Sequence, residues 1–206
     1  GKTTAVPLAF LDAAWLGQRK IIMLEPRRLA AKSAAKRLAD QLGEPLGQRI
    51  GYQIRQEGRQ SHATQILVVT EGILTRMLQE DPSLDDVALI IFDEFHERNL
   101  HSDLAFALSL QARELFREED PLKLLVMSAT LDPEPVSRYL DDCPVLASSG
   151  RLFPVEVSYL QADSEAPLVE LAVEGVHRAL ASCRGDLLVF LPGVGEIRRT
   201  QERLQS

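Results

Sequence analysis

The chain opens on Gly1-Lys2-Thr3-Thr4, the second half of the phosphate-binding pattern G-x-x-x-x-G-K-[ST]. Each residue type has a physical reason to stand there. Glycine lets backbone N–H groups close around phosphate oxygens, and a lysine reaches the β- and γ-phosphates. A threonine hydroxyl ligates Mg2+, and the helix that follows offers its N-terminus. A second segment, Leu89-Ile90-Ile91-Phe92-Asp93-Glu94-Phe95-His96, runs an apolar stretch directly into two carboxylates. At such a strand end Asp93 can hold Mg2+ through water, and Glu94 can polarise a water for in-line attack. A third, Met127-Ser128-Ala129-Thr130, ends another apolar run in small hydroxyls that could hydrogen-bond toward the carboxylates. Each segment has a bland alternative: a common tripeptide, a solvated acidic turn, a loop of small residues. Together and in this order they reinforce one another.

Other chemistries fit less well. His96-Glu97-x-x-x-His101 separates its histidines by five positions, whereas a zinc-protease helix needs four to bring both imidazoles to one face. No Gly-x-Ser-x-Gly elbow accompanies the serines and histidines. Cys143 and Cys183 are too few for a disulfide framework and read as free thiols of a reducing cytosol, so a cytoplasmic location is expected. No apolar stretch approaches a membrane span, and the first residues carry no leader pattern.

The 206 residues are 45% hydrophobic and 26% charged, with a formal charge of −7. That is the balance of a globular protein with a substantial core, and it excludes a disordered or collagen-like chain. The charge is uneven. Between Arg19 and Arg59 there are 10 Lys/Arg against 4 Asp/Glu, while the rest of the chain is strongly acidic. A basic segment on an acidic protein suits a localised polyanion contact, although Lys32, Lys36 and Arg37 also read as the solvated face of a helix.

Between the chemical segments lie stretches with the patterns of strands and helices. Ile21–Leu24, Ile66–Val69, Leu89–Phe92 and Leu124–Met127 are short apolar runs without alternation, as in strands buried on both faces of a parallel sheet. Helical stretches are expected at Thr3–Trp15, Arg27–Leu42, Gly72–Gln79 and Leu104–Phe116. The alternation predicts an α/β fold with right-handed crossovers. Residues 132–154 are rich in breakers. Beyond them, strands are expected at Val155–Tyr159 and Leu187–Leu191, and helices at Leu168–Leu180 and Gly195–Leu204.

Taken together, the segments resemble the DEAH-box helicases of superfamily 2. Gly1-Lys2-Thr3 is similar to motif I, Pro26-Arg27-Arg28-Leu29-Ala30-Ala31 to motif Ia, and Thr70-Glu71-Gly72-Ile73-Leu74 to motif Ib. Asp93-Glu94-Phe95-His96 resembles motif II and Ser128-Ala129-Thr130 motif III. Phe190-Leu191-Pro192-Gly193 with Glu196-Ile197 resembles motif IV, and Gly51–Arg55 also matches a segment typical of the family. Phe95 stands where most members have alanine.

The resemblance implies a RecA-like parallel sheet with helices on both faces over residues 1–150, lacking its first strand and the start of the phosphate loop. An incomplete second RecA-like domain would occupy 151–206. It also implies an ATP-dependent helicase with Mg2+ as cofactor. Gly1, Lys2, Thr3 and Thr4 would hold the nucleotide, and Thr3, Asp93 and Glu94 the metal. Asp93 and Glu94 would carry the catalysis, with Glu94 as general base; His96, Ser128 and Thr130 would couple nucleotide state to domain closure. Arg27, Arg28, Thr70 and Gly72 would touch a nucleic-acid backbone without reading bases, with RNA expected ahead of DNA. The isolated chain is expected to be inactive, because the loop glycines and the arginine finger of the second domain are missing from it. The competing reading is a P-loop ATPase or nucleotide switch acting on something other than nucleic acid. The Arg27-Arg28 pair and the Thr70–Gly72 segment argue against it.

Overall fold

In a computed structural model, residues 1–129, 132–148, 153–160 and 166–205 are described. The chain divides into two compact units, Gly1–Val145 and Leu146–Ser206.

The first unit is built on a six-stranded sheet. Its strands are β1 (Lys20–Leu24), β2 (Ile50–Ile54), β3 (Glu57–Arg59), β4 (Ile66–Val69), β5 (Val87–Phe92) and β6 (Lys123–Val126). Their order across the sheet is β3-β2-β4-β1-β5-β6. All neighbours run parallel except the β2–β3 hairpin. The helices are α1 (Lys2–Ala9), α2 (Arg28–Leu42), α3 (Glu71–Glu80), α4 (Leu100–Phe116) and the short α5 (Glu134–Tyr139).

Alternation along each strand sends side chains to opposite faces. Ile21 and Met23 of β1, with Val68 of β4 and Ile91 of β5, pack on one face against Ala31, Ala35 and Leu38 of α2. Ile22 and Leu24, with Val69, Ile90 and Phe92, pack on the other against Leu74 of α3 and Phe106 of α4. Both faces are therefore covered, which is why the central strands read as unbroken apolar runs.

Expectations change within this first unit. The first helix stops at Ala9 rather than Trp15. Pro7 within it donates no N–H, and the following bonds tighten to Phe10 N–H on Pro7 O and Leu11 N–H on Leu8 O. The hairpin β2–β3 lies in what looked like a mere motif segment. Gly51 is required there, because a Cβ at that position would sit 2.8 Å from the carbonyl oxygen of Arg59. Glu57 ties this hairpin together and to α2: the Tyr52 hydroxyl of β2 donates to it at 2.6 Å, and the Lys32 ammonium of α2 at 2.8 Å. Lys32 thus serves the fold.

The second unit holds α6 (Leu168–Ser182) and α7 (Val194–Gln205), joined by an ion pair between Glu170 and Arg203 at 3.7 Å. The strands expected at Val155–Tyr159 and Leu187–Leu191 are not formed. Phe190 is 86% exposed. A strand exists only where a neighbour takes up its backbone N–H and C=O groups, and among the described residues neither segment has one.

Candidate functional site

Strand register assembles the site. Leu24 pairs with Val69 on one side and Phe92 on the other, and Phe92 pairs with Val126. The residues that follow, Glu25, Thr70, Asp93 and Met127, therefore leave the sheet at one level, along the carboxyl ends of four adjacent parallel strands. Ligands of open α/β sheets bind at that edge. Backbone bonds lock it: Asp93 N–H donates to Leu24 O, Met127 N–H to Phe92 O, and Phe95 N–H to Met127 O.

Lys2 reaches this edge from the start of α1, its ammonium donating to the carbonyl of Ser128. The first and third chemical segments of the sequence are thus in contact. Thr4 is buried, and its hydroxyl turns back to the Gly1 carbonyl at 3.5 Å. Thr130 lies outside the described residues.

Asp93 is only 4% exposed. Its Oδ1 accepts the Glu94 N–H at 2.9 Å, while its buried Oδ2 has no hydrogen-bond partner. An unpartnered carboxylate oxygen in a dry site is costly by itself and has the chemistry of a cation ligand. Among the described residues no group of three or more His, Cys, Asp or Glu could hold a metal by itself. An ion here would have to draw further ligands from phosphate and water, as Mg2+ does.

Glu94 adopts a left-handed backbone, with φ +49°, at the head of the 3-10 turn Phe95–Glu97. Such a conformation costs a residue with a side chain roughly 1–3 kcal/mol and persists where neighbours impose it. Phe95 supplies the anchor. It is buried against Phe92 and Phe106, with ring centroids 6.1 and 5.3 Å away. This bulky residue between Glu94 and His96 therefore completes an aromatic cluster under the turn. His96 Nδ1 lies 3.3 Å from Glu94 Oε2, close in charge terms but not aligned as a hydrogen bond.

Sequence reasoning missed Glu25. It is 3% exposed at the end of β1. Burial first, then the negative charge of Asp93 and a side-chain hydrogen bond with it, and after these the charges of Glu94 and Glu97, push its carboxyl up to about 8. The one signal was a charged residue closing an apolar strand just before Pro26.

The nucleic-acid candidates occupy the exposed side of the same edge. Arg27 is the N-cap of α2 and Arg28 its first residue; Thr70 is the N-cap of α3 and Gly72 lies in its first turn, with open space around it. Arg27 pairs with Glu97 at 3.0 Å. Arg28 is exposed and has no partner among the described residues. Between Thr70 and Gly72 sits Glu71, whose Oε1 accepts from Asn99 Nδ2 and, at 2.6 Å, from Ser102 Oγ.

A parallel sheet whose strand ends gather a phosphate-type lysine, a dry carboxylate pair and exposed helix starts defines a nucleotide-handling α/β protein. Residues 1–139 match the DEAD/DEAH box helicase family, and the chain belongs to it. Over its whole length it is 48% identical to the ATP-dependent RNA helicase HrpB of Escherichia coli (strain K12), covering 25% of that protein. It is 38% identical to the probable ATP-dependent RNA helicase DHX34 of Homo sapiens, covering all of this chain and 18% of that one. The crystal structure of the E. coli DEAH/RHA helicase HrpB superimposes with a TM-score of 0.90 at 47% identity, over 100% of this chain and 26% of that one. The fold is accordingly the RecA-like arrangement of that helicase. The chain spans about a quarter of HrpB. Membership of the family implies nucleotide use, with Mg2+ typical for it. Among the described residues no helix is long and apolar enough to cross a membrane.

Proposed function

We propose that the intact protein hydrolyses ATP at this edge and couples hydrolysis to the separation of RNA strands. The observation that carries the reading is the shared edge itself. Lys2 at Ser128 and the unpartnered Asp93 oxygen lie at the same strand ends as the exposed Arg27, Arg28 and Gly72 and the half-buried Thr70. A switch or transporter ATPase gives no reason for that second set. RNA rather than DNA is favoured by relatives named as RNA helicases.

Each residue then has a task. Gly1 and the start of α1 offer backbone N–H groups to phosphate, with Thr4 closing the turn behind them. The Lys2 ammonium exchanges its Ser128 carbonyl for the β/γ-phosphate oxygens. Thr3 and Asp93 would hold Mg2+, with Glu94 beside them; the ion neutralises phosphate charge that builds up during transfer. Glu94 orients the attacking water and takes its proton. His96, Ser128 and Thr130 pass the nucleotide state onward. Arg27 and Arg28, with the start of α3 at Thr70 and Gly72, grip phosphates regardless of base sequence.

Residues 1–150 act as the first helicase domain, and 151–206 begin the second. The two free cysteines, Cys143 and Cys183, suit a cytoplasmic setting.

The experiment is ATP hydrolysis by the intact protein with and without RNA, followed by ATP-dependent separation of an RNA duplex and of a DNA duplex of the same sequence. Stimulation and separation with RNA are expected. Hydrolysis indifferent to any nucleic acid would overturn the reading.

A further inference from the structure

We infer that Glu97 is the positioning residue that links nucleic acid to the nucleotide site: it holds Arg27 in the unbound protein and yields it to an incoming phosphate. The inference rests on the nucleic-acid role proposed above for Arg27.

Four observations lead to it. Arg27 and Glu97 are 70 residues apart in sequence, and their ion pair of 3.0 Å bridges the motif beginning at Pro26 to the catalytic turn. Among the described residues the Arg27 guanidinium has no other partner, and Glu97 holds it by Nη2, so a phosphate that takes the guanidinium through that edge displaces Glu97. Glu97 is also tied to the general-base candidate by the shortest possible path: its N–H donates to the Glu94 carbonyl at 2.9 Å. Finally, the turn is bracketed by two left-handed residues with side chains, Glu94 at φ +49° and Arg98 at φ +40°. Such a turn keeps its shape only while its surroundings impose it.

The far end of the turn is tethered in the same sense. Asn99 caps α4 by accepting from the N–H groups of His101 and Ser102, and it donates its amide to Glu71. Glu71 lies between Thr70 and Gly72. Both segments expected to touch RNA therefore hold the Glu94–Asn99 stretch, one through Glu97 and one through Asn99. The Arg27 pair is the one a ligand can break. It is largely exposed, with Arg27 at 72%, and a pair of that kind is weak enough to be exchanged for a phosphate. Losing Arg27 frees Glu97 and, through the turn bond, changes the restraint on Glu94. RNA binding thereby reaches hydrolysis without a large movement.

The test uses Glu97→Gln and Arg27→Ala, singly and together, in the intact protein. Affinity is read with a labelled mixed-sequence oligoribonucleotide, and hydrolysis with and without it. Glu97→Gln should bind RNA about two- to fivefold more tightly, the range an exposed pair can withhold. Its RNA-free hydrolysis should move toward the RNA-bound rate, so that the stimulation factor shrinks. In the Arg27→Ala background, Glu97→Gln should leave affinity unchanged, because the competitor has nothing left to hold. Misfolding cannot produce a gain in affinity, so a merely structural Glu97 would not give this result. If Arg27→Ala weakens RNA binding while Glu97→Gln binds no more tightly than wild type, the inference falls and the nucleic-acid role stands. If Arg27→Ala leaves RNA affinity at the wild-type value, the role and the inference fall together.

Discussion

Asp93 and Arg27 leave neighbouring strands of one sheet, yet they differ in every physical respect. Asp93 is 4% exposed, its backbone is bonded into β1, and one of its oxygens has no partner. Arg27 is 72% exposed and paired by one weak contact. A buried group acts through fixed orientation and charge in a site of low polarity, where interactions are strong and salt hardly matters. An exposed cation offers an adjustable, screened attraction that any phosphate can claim. One edge can thereby serve two ligands: chemistry belongs to the dry end and grip to the wet end, with the short turn from Glu94 to Asn99 between them.

Substitutions at the two ends should therefore fail in different ways. The largest effect belongs to Glu94. Glu94→Gln keeps the size and removes the base, and the ATP hydrolysis rate should fall by roughly 10²- to 10⁴-fold. Arg27→Ala with Arg28→Ala should produce a smaller and different loss. RNA affinity should weaken by a similar factor for unrelated sequences. The slope of log affinity against log salt should flatten by roughly 1 to 2, since two phosphate contacts release fewer counterions. A loss confined to one base sequence would contradict the assignment of these residues to the backbone.

The third effect is on stability and sharpens what burial means at the dry end. Folding raises the Glu25 carboxyl from 4.5 to about 8. Between those values the folded chain keeps a proton that the unfolded chain has lost, so stability falls as pH rises through that window. The span corresponds to a cost on the order of a few kcal/mol above pH 8. Thermal unfolding of the protein without nucleotide or metal, at pH 5 and pH 8, checks this. Glu25→Gln should unfold at a higher temperature than wild type at pH 8, with a smaller advantage at pH 5. An equal difference at both pH values would show that Glu25 is not held protonated.

The dry end was also the more legible part of the sequence. Leu89–Phe92 reads as a strand covered on both faces and is one, because neighbours on both sides complete it. Leu187–Leu191 has the same kind of residues and forms no strand, because an apolar run specifies burial while the partner specifies the strand. The hairpin escaped notice for the opposite reason: Glu57-Gly58-Arg59 contains no apolar residue, and Gly51 looks like a breaker until Arg59 is seen against it. Lys2, Asp93 and Glu94 announce themselves by residue type next to apolar runs. Glu25, Glu71 and Glu97 do not, because their meaning lies in what stands across from them. Glu25 meets Asp93 only through the pairing of Leu24 with Phe92. Glu97 meets Arg27 only because β1 and β5 end side by side. Local pattern shows which residues could do chemistry, and strand order decides which of them meet.

The most direct test of the division between the two ends is a crossed measurement on one variant. RNA affinity and nucleotide affinity are determined for Glu94→Gln in the intact protein, at the salt concentration where wild-type hydrolysis is measured. Both affinities should stay within about threefold of wild type, a difference under 1 kcal/mol, while hydrolysis is lost. If RNA affinity collapsed together with turnover, grip and chemistry would not be separate, and the account of the shared edge would be wrong.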